Sequence, residues 1–173
     1  MGLALGLVVH TGWTAAVVAG GDWDKPLVAL RERVEVLGAK ERFVFHKAEG
    51  MPMSDARAWV ANATRTATEN ATSAVKRVIA AHDVQVCAVV AKKTVMPPLE
   101  EVVASHPRIH TAEGCFYRDV MKAAAEACGI RTTVIAASEL DAKDERLSPV
   151  GRLVGKPWSV DWKLAVLAAW HVL

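Results

Sequence analysis

The sequence has little that marks a specialised chemistry. Its 173 residues include only three cysteines, Cys87, Cys115 and Cys128, an odd number without paired spacing. That excludes a disulfide framework and points to idle or buried thiols in a reducing compartment, so a cytoplasmic location is expected. No stretch approaches about 20 uninterrupted apolar residues, which excludes a membrane partner reached by a spanning helix. The first residues carry no basic leader, and their apolar run is broken by His10 and Thr11, so no secretory signal is expected. Charge of one sign is also scarce: 21 Lys and Arg against 19 Asp and Glu leave a net charge of +2. A local basic patch is allowed, but bulk charge demands no nucleic acid. Gly20-Gly21 lacks dinucleotide-loop spacing, and Gly151 to Lys156 lacks the rest of a phosphate loop. No zinc spacing of His and Cys and no serine nucleophile elbow is present, so no metal ligand set is assigned. The Asn-x-Thr triplets at Asn62 and Asn70 fall inside a helical pattern and are read as chance.

What is present is core. Hydrophobic residues make up 52% of the chain and the mean hydropathy is +0.19, enough for one compact domain over residues 1–173. The organising stretch is Leu5 to Ala19. Apolar runs flank His10-Thr11-Gly12-Trp13-Thr14, predicting a hairpin whose strands are buried on both faces. Turn formers over Gly20–Pro26 reverse the chain, and alternation over Leu27–Leu37 predicts a third antiparallel strand, with Val28, Leu30, Val34 and Val36 on one side. Glu32 interrupts that side and suggests an edge. Arg42–Lys47 reads as a short strand or extended arm.

Ser54 to His82 is the strongest helix, capped by Ser54 and striped with Trp59, Ala63, Ala67, Ala71, Val75 and Val78. Val84–Ala91 follows as a buried parallel strand, ended by Pro97-Pro98. A loop is expected over Ser105–Thr111, then a helix over Ala112–Cys128 capped by Thr111 and stopped by Gly129. Ile130–Ala137 is a further strand. Ser138–Pro157 reads as a long polar loop, and a last helix runs from Val160 with Ser159 as its cap.

Three meander strands, a long helix, a strand, a helix, a strand and a closing helix make a mixed five-stranded α/β fold. That order resembles the ribonuclease H-like superfamily, and within it the RuvC-type Holliday-junction resolvases, over nearly the whole chain. Those proteins open on a strand entering an Asp-x-Gly-Ser/Thr turn; here Val9-His10-Thr11-Gly12-Trp13-Thr14 stands in that place, with His10 where the metal-binding aspartate would be. Their fourth strand ends in glutamate, whereas this one ends Ala91-Lys92-Lys93. Asp161 matches the acidic start of their last helix. Two-metal phosphoryl transfer needs several carboxylates around hard Mg²⁺ ions, and two lysines at that place repel a cation. The resemblance therefore implies a degenerate nuclease fold that takes no cofactor, with Mg²⁺ admitted only by a partial acidic site.

In such a fold His10, Lys92, Lys93 and Asp161 meet at one cleft, with His110 and Glu113 nearby. A His/Glu/Asp set of His10, His110, Glu113 and Asp161 could serve general acid–base chemistry, metal-free or with a single metal, in a hydrolase or phosphotransferase. Each has a plainer reading as well: His10 as a hydrogen-bonded turn residue, Asp161 and Glu113 as dipole-complementing acids at helix starts. Gly114, in the expected first turn of its helix, suggests close packing or an anion at that N-terminus, with Arg118 following. Lys92, Lys93, Arg152 and Lys156, with Trp13 and Trp158 for stacking, could track a nucleic-acid backbone, against the reading of a solvated surface. The expected partners are thus branched or structured nucleic acid or a protein bound through the cleft, the alternatives being the hydrolase and a homodimeric structural module.

Overall fold

A computed structural model describes residues 2–22 and 24–173. Met1 and Trp23, the latter inside the turn predicted over Gly20–Pro26, lie outside the described residues. Strands β1 (Leu3–His10), β2 (Trp13–Gly21), β3 (Pro26–Glu35), β4 (Val84–Val90) and β5 (Arg131–Ile135) form one sheet in the order β3-β2-β1-β4-β5. β1, β2 and β3 pair antiparallel, while β4 joins β1 and β5 joins β4 in parallel. The opening hairpin therefore supplies the sheet's centre. Its two-residue turn, Thr11-Gly12, needs φ +89° at the second position, which glycine adopts without strain. A Cβ there would also lie 2.7 Å from the Arg42 Cβ.

Helices α1 (Val44–Ala48), α2 (Met53–Ala81), α3 (Leu99–Val103) and α4 (His106–Ala127) precede β5; α5 (Leu147–Val154) and α6 (Val160–His171) follow it. One face of the sheet packs Leu5, Leu7, Val18 and Val89 against the alanine stripe of α2 and against Ile109, Phe116 and Met121 of α4. The other packs Ala4, Val8, Ala15, Val17 and Ala88 against α6, which is buried almost all round between Leu164 and Ala169. A sheet covered on both sides explains why β1 and β2 show no apolar–polar alternation.

Several local expectations are corrected. Arg42–Lys47 is not a strand: Val44, Phe45 and Ala48 are the buried positions, a helical spacing, and they form α1. The Ser105–Thr111 loop is instead the first turn and a half of α4, which starts at His106 with Pro107 where a missing N–H costs nothing. Thr111 is thus no cap; its hydroxyl donates back to the Pro107 carbonyl. The Ser138–Pro157 loop contains α5, held by buried Leu147 and Val150, and tolerates Pro149 because that residue sits near the helix start. The apolar side of β3 also splits. Ala19 pairs with Val28 and Val18 with Leu30, so a bulge at Ala29 sends Val28 towards α6 and Leu30 towards α2. Glu32, on the α2 side of this edge strand, takes a two-pronged ion pair from Arg77. In α2 the helix begins at Met53, one residue before the cap expected at Ser54.

The tightest fit lies between β1 and α6. A Cβ on Gly6 would fall 1.9 Å from the Ala165 carbonyl oxygen and 3.2 Å from the Ala169 nitrogen, both helix backbone. Gly6→Ala should therefore destabilise the protein by about 3 kcal/mol, the upper range for overpacking, read as a lowered urea midpoint. The thiols make a second check. Cys87 and Cys115 are buried and Cys128 only partly so, and burial pushes the Cys87 thiol up to about 12. Under native conditions an alkylating reagent should modify Cys128 first and leave Cys87 intact until the protein unfolds.

Candidate functional site at the strand ends

The carboxyl ends of β1, β4 and β5 open onto a cleft of about 500 Å³. Its walls are Val8 and Val9 from β1, Val90 to Lys92 from β4, Ala136 to Ser138 after β5, Leu164 of α6, and His110, Thr111, Gly114 and Cys115 of α4. None of these wall residues carries a carboxylate. Lys92 is exposed and has no ion pair among the described residues. Lys93 instead reaches Glu139 at 2.7 Å, and that lysine, with the Ala136 N–H, holds the Glu139 carboxyl below its usual range.

His10 and Asp161 meet where β1 ends and α6 begins. His10 Nε2 lies 3.2 Å from Asp161 Oδ1, shielded from solvent but not aligned for a hydrogen bond. The imidazole stacks on Trp13 at 4.2 Å and 9°, and the Arg33 guanidinium covers Trp13 at 4.1 Å. Arg33, Trp13, His10 and Asp161 thus form one ladder across the hairpin, beside the cleft but not in its wall.

Glu113 has a different task. It is 3% exposed and lies two turns into α4, not at a helix start. Its carboxylate accepts the N–H groups of Val44 at 3.2 Å, Phe45 at 2.9 Å and His46 at 3.3 Å, so it caps α1 from a neighbouring helix. The same Oε1 contacts His46 Nδ1 at 3.1 Å. The Trp59 indole N–H donates to the Val44 carbonyl and the Tyr117 hydroxyl to the Arg42 carbonyl, fixing the same segment.

His46 brings into view a group the sequence did not disclose. His46 on α1 and His106 and His110 on α4 place one ring nitrogen each within 4.8 Å of one another. His106 and His110 are four residues apart, which is one helix face, but that spacing was hidden while the segment was read as a loop. His110 also lines a second cavity, of about 340 Å³, with Thr11, Phe43, His46 and Glu113.

The remaining candidates separate. Gly114 sits on α4 after two turns and is exposed; a Cβ there would meet nothing within 4 Å, so neither tight packing nor a helix N-terminus accounts for it. It keeps one wall of the cleft low. Arg118, 8% exposed, donates to the Lys92 and Thr94 carbonyls and pairs with Asp119, anchoring the segment after β4. Arg152, Lys156 and Trp158 stand with α5 beside β3, where Arg31 donates to the Gly155 and Pro157 carbonyls and Trp158 covers Gly151. They are not in the cleft wall with Lys92.

No protein-family model matches the sequence, and no curated protein does. Among solved structures, the chain is similar to Thermus thermophilus RuvC in complex with a Holliday junction substrate, with a TM-score of 0.60 and 12% identity over 98% of this chain and 90% of that one. A second structure of Thermus thermophilus RuvC gives a TM-score of 0.56 at 12% identity, over 96% and 90% of the two chains. The fold is the RuvC type of the ribonuclease H-like fold. Among the described residues no helix is long and apolar enough to cross a membrane.

The RuvC-like fold implies Mg²⁺, and the donor set here does not fit a pair of such ions. Hard Mg²⁺ is held by carboxylates and water, whereas the β4 end offers Lys92 and Lys93, and the β1 end offers an imidazole. Asp161 is a carboxylate at the β1–α6 junction, and it faces His10.

Glu113 gives the sharpest test of this local architecture. Glu113→Ala leaves three N–H groups of α1 without their acceptor and should cost about 3 kcal/mol, by the worth of buried hydrogen bonds to a charged group. His46→Gln, which keeps Glu113, should cost under about 1 kcal/mol in the same urea titration, because the three backbone bonds remain.

Proposed function

We propose that this protein binds structured nucleic acid through the cleft at the strand ends and lacks two-metal nuclease activity. The observation that carries the reading is the cleft wall itself: it sits at the carboxyl ends of β1, β4 and β5, holds Lys92, and contains no carboxylate. A cleft that carries a lysine and no acidic group suits a phosphate backbone better than the metal pair that would cut it. Gly114 and Ser138 keep its sides low, which suits a broad ligand better than an enclosed small molecule. The similarity to a RuvC bound to a Holliday junction supports branched DNA as the first ligand to try.

A second reading has its own observation, the His10–Asp161 contact. Tightened into a hydrogen bond on ligand binding, that carboxylate would orient the imidazole as a general base, and a hydrolase working through the pair would need no metal. Such an enzyme would lose turnover in His10→Gln while keeping its ligand affinity.

Fluorescence anisotropy with four-way-junction and duplex DNA at two salt concentrations tests the first reading. The expected result is salt-sensitive binding, stronger for the junction, with Lys92→Ala and Lys93→Ala together weakening it roughly tenfold. Incubation of the junction with Mg²⁺ should yield no cleavage. Absence of binding at low salt would end the nucleic-acid reading, and metal-dependent cutting would end the claim of lost nuclease chemistry.

A further inference from the structure

We propose that His46, His106 and His110 form a binding site for a Zn²⁺-like transition metal ion, with an open fourth position at the rim of the cleft. Three of the six histidines in the chain meet here, drawn from two helices that are distant in sequence. His106 Nε2 and His110 Nε2 lie 3.2 Å apart. Two nitrogens bound to one tetrahedral zinc at ~2.0–2.1 Å stand roughly 3.3 Å apart, so the pair already has the spacing of a coordination edge. The third nitrogen lies within 4.8 Å, and a small ring movement of His46 closes the set.

The surroundings support the same chemistry. Metal-bound histidines commonly give their other ring nitrogen to a carboxylate, which fixes the ring and strengthens the ligand. Glu113 takes that place on His46 Nδ1 at 3.1 Å, and Glu49 on His106 Nδ1 at 3.4 Å, leaving the Nε2 atom of each ring for an ion. Glu113 is itself held by three backbone N–H groups, so the carboxylate behind His46 is buried and well placed. Two carboxylates outside three neutral imidazoles also offset the charge of a divalent cation. Imidazole nitrogen selects zinc and its neighbours over Mg²⁺, so this site is distinct in kind from the carboxylate centre of the nuclease fold.

Three protein ligands leave one position for an oxygen donor. His110 lines both the cleft and the smaller cavity beside Thr11 and Phe43, so the ion would sit next to the proposed nucleic-acid site. Water or a phosphate oxygen has the right chemistry to fill it.

The test uses the full chain, freed of metal with a chelator, without nucleic acid, so its outcome is independent of DNA binding. Zn²⁺ is titrated by calorimetry, and Co²⁺ is added as a spectroscopic probe. One equivalent of Zn²⁺ should bind, and Co²⁺ should show the intense visible bands of a four-coordinate site. His106→Gln and His110→Gln are exposed substitutions, and circular dichroism confirms their folding. Each should weaken Zn²⁺ binding roughly 100-fold and abolish the Co²⁺ bands, whereas His171→Gln, at the far end of α6, should change neither. Absence of stoichiometric binding overturns the proposal, as does binding that survives both cluster substitutions or weak six-coordinate Co²⁺ bands.

Discussion

The seating of α6 on Gly6 governs the geometry of the whole strand-end region. Because residue 6 has no side chain, the helix backbone comes down onto the middle of the central strand, and the Trp170 indole secures its far end by donating to the Gly20 carbonyl at 3.0 Å. With those two points fixed, the helix runs back along the hairpin and delivers Asp161 to His10 at the end of β1. A larger residue at position 6 would lift the helix, and the His10–Asp161 contact, the Trp13 stack and the Leu164 wall of the cleft would all lose their support. Packing at the sheet's centre therefore sets the chemistry at its edge.

Glu113 plays the matching part on the other face. A buried carboxylate is costly unless its lone pairs are met, and here the start of α1 meets them with three N–H groups and an imidazole. The bargain works in both directions, because α1 is only five residues long and has no side-chain cap of its own. One residue thus folds a short helix, docks it on α4 and turns His46 towards His106 and His110.

The sheet was legible in the sequence because its signals are local. An apolar run, a Thr-Gly break and a second apolar run leave little choice but a hairpin, and Val84–Val90 between two helical patterns leaves little but a parallel strand. The pairing of His10 with Asp161 could be expected once the order of elements was read as a ribonuclease H-like fold. The histidine cluster could not. Its recognition needs α4 to begin at His106, and Pro107 makes that segment look like a loop although proline belongs in a first helical turn. It also needs α1, whose formation depends on a carboxylate 69 residues away, and no window of sequence contains that partner. The same distance effect misled the reading of Glu113, whose place at an apparent helix start concealed a cap supplied to another helix.

The fold and the site now point in different directions, and the donor atoms say why. A ribonuclease H-like sheet brings strand ends together whatever residues they carry, so the arrangement persists when its carboxylates do not. At the strand ends this chain presents Lys92, with Lys93 paired to Glu139 and His10 facing Asp161, and a lysine there favours anions over hard cations. Its nitrogen donors gather instead on α1 and α4, one helix face removed, with carboxylates behind them and not between them. Imidazole nitrogens backed by carboxylates are a donor set that suits zinc better than magnesium. The cleft and the histidine group are thus neighbours of different chemistry that meet at His110.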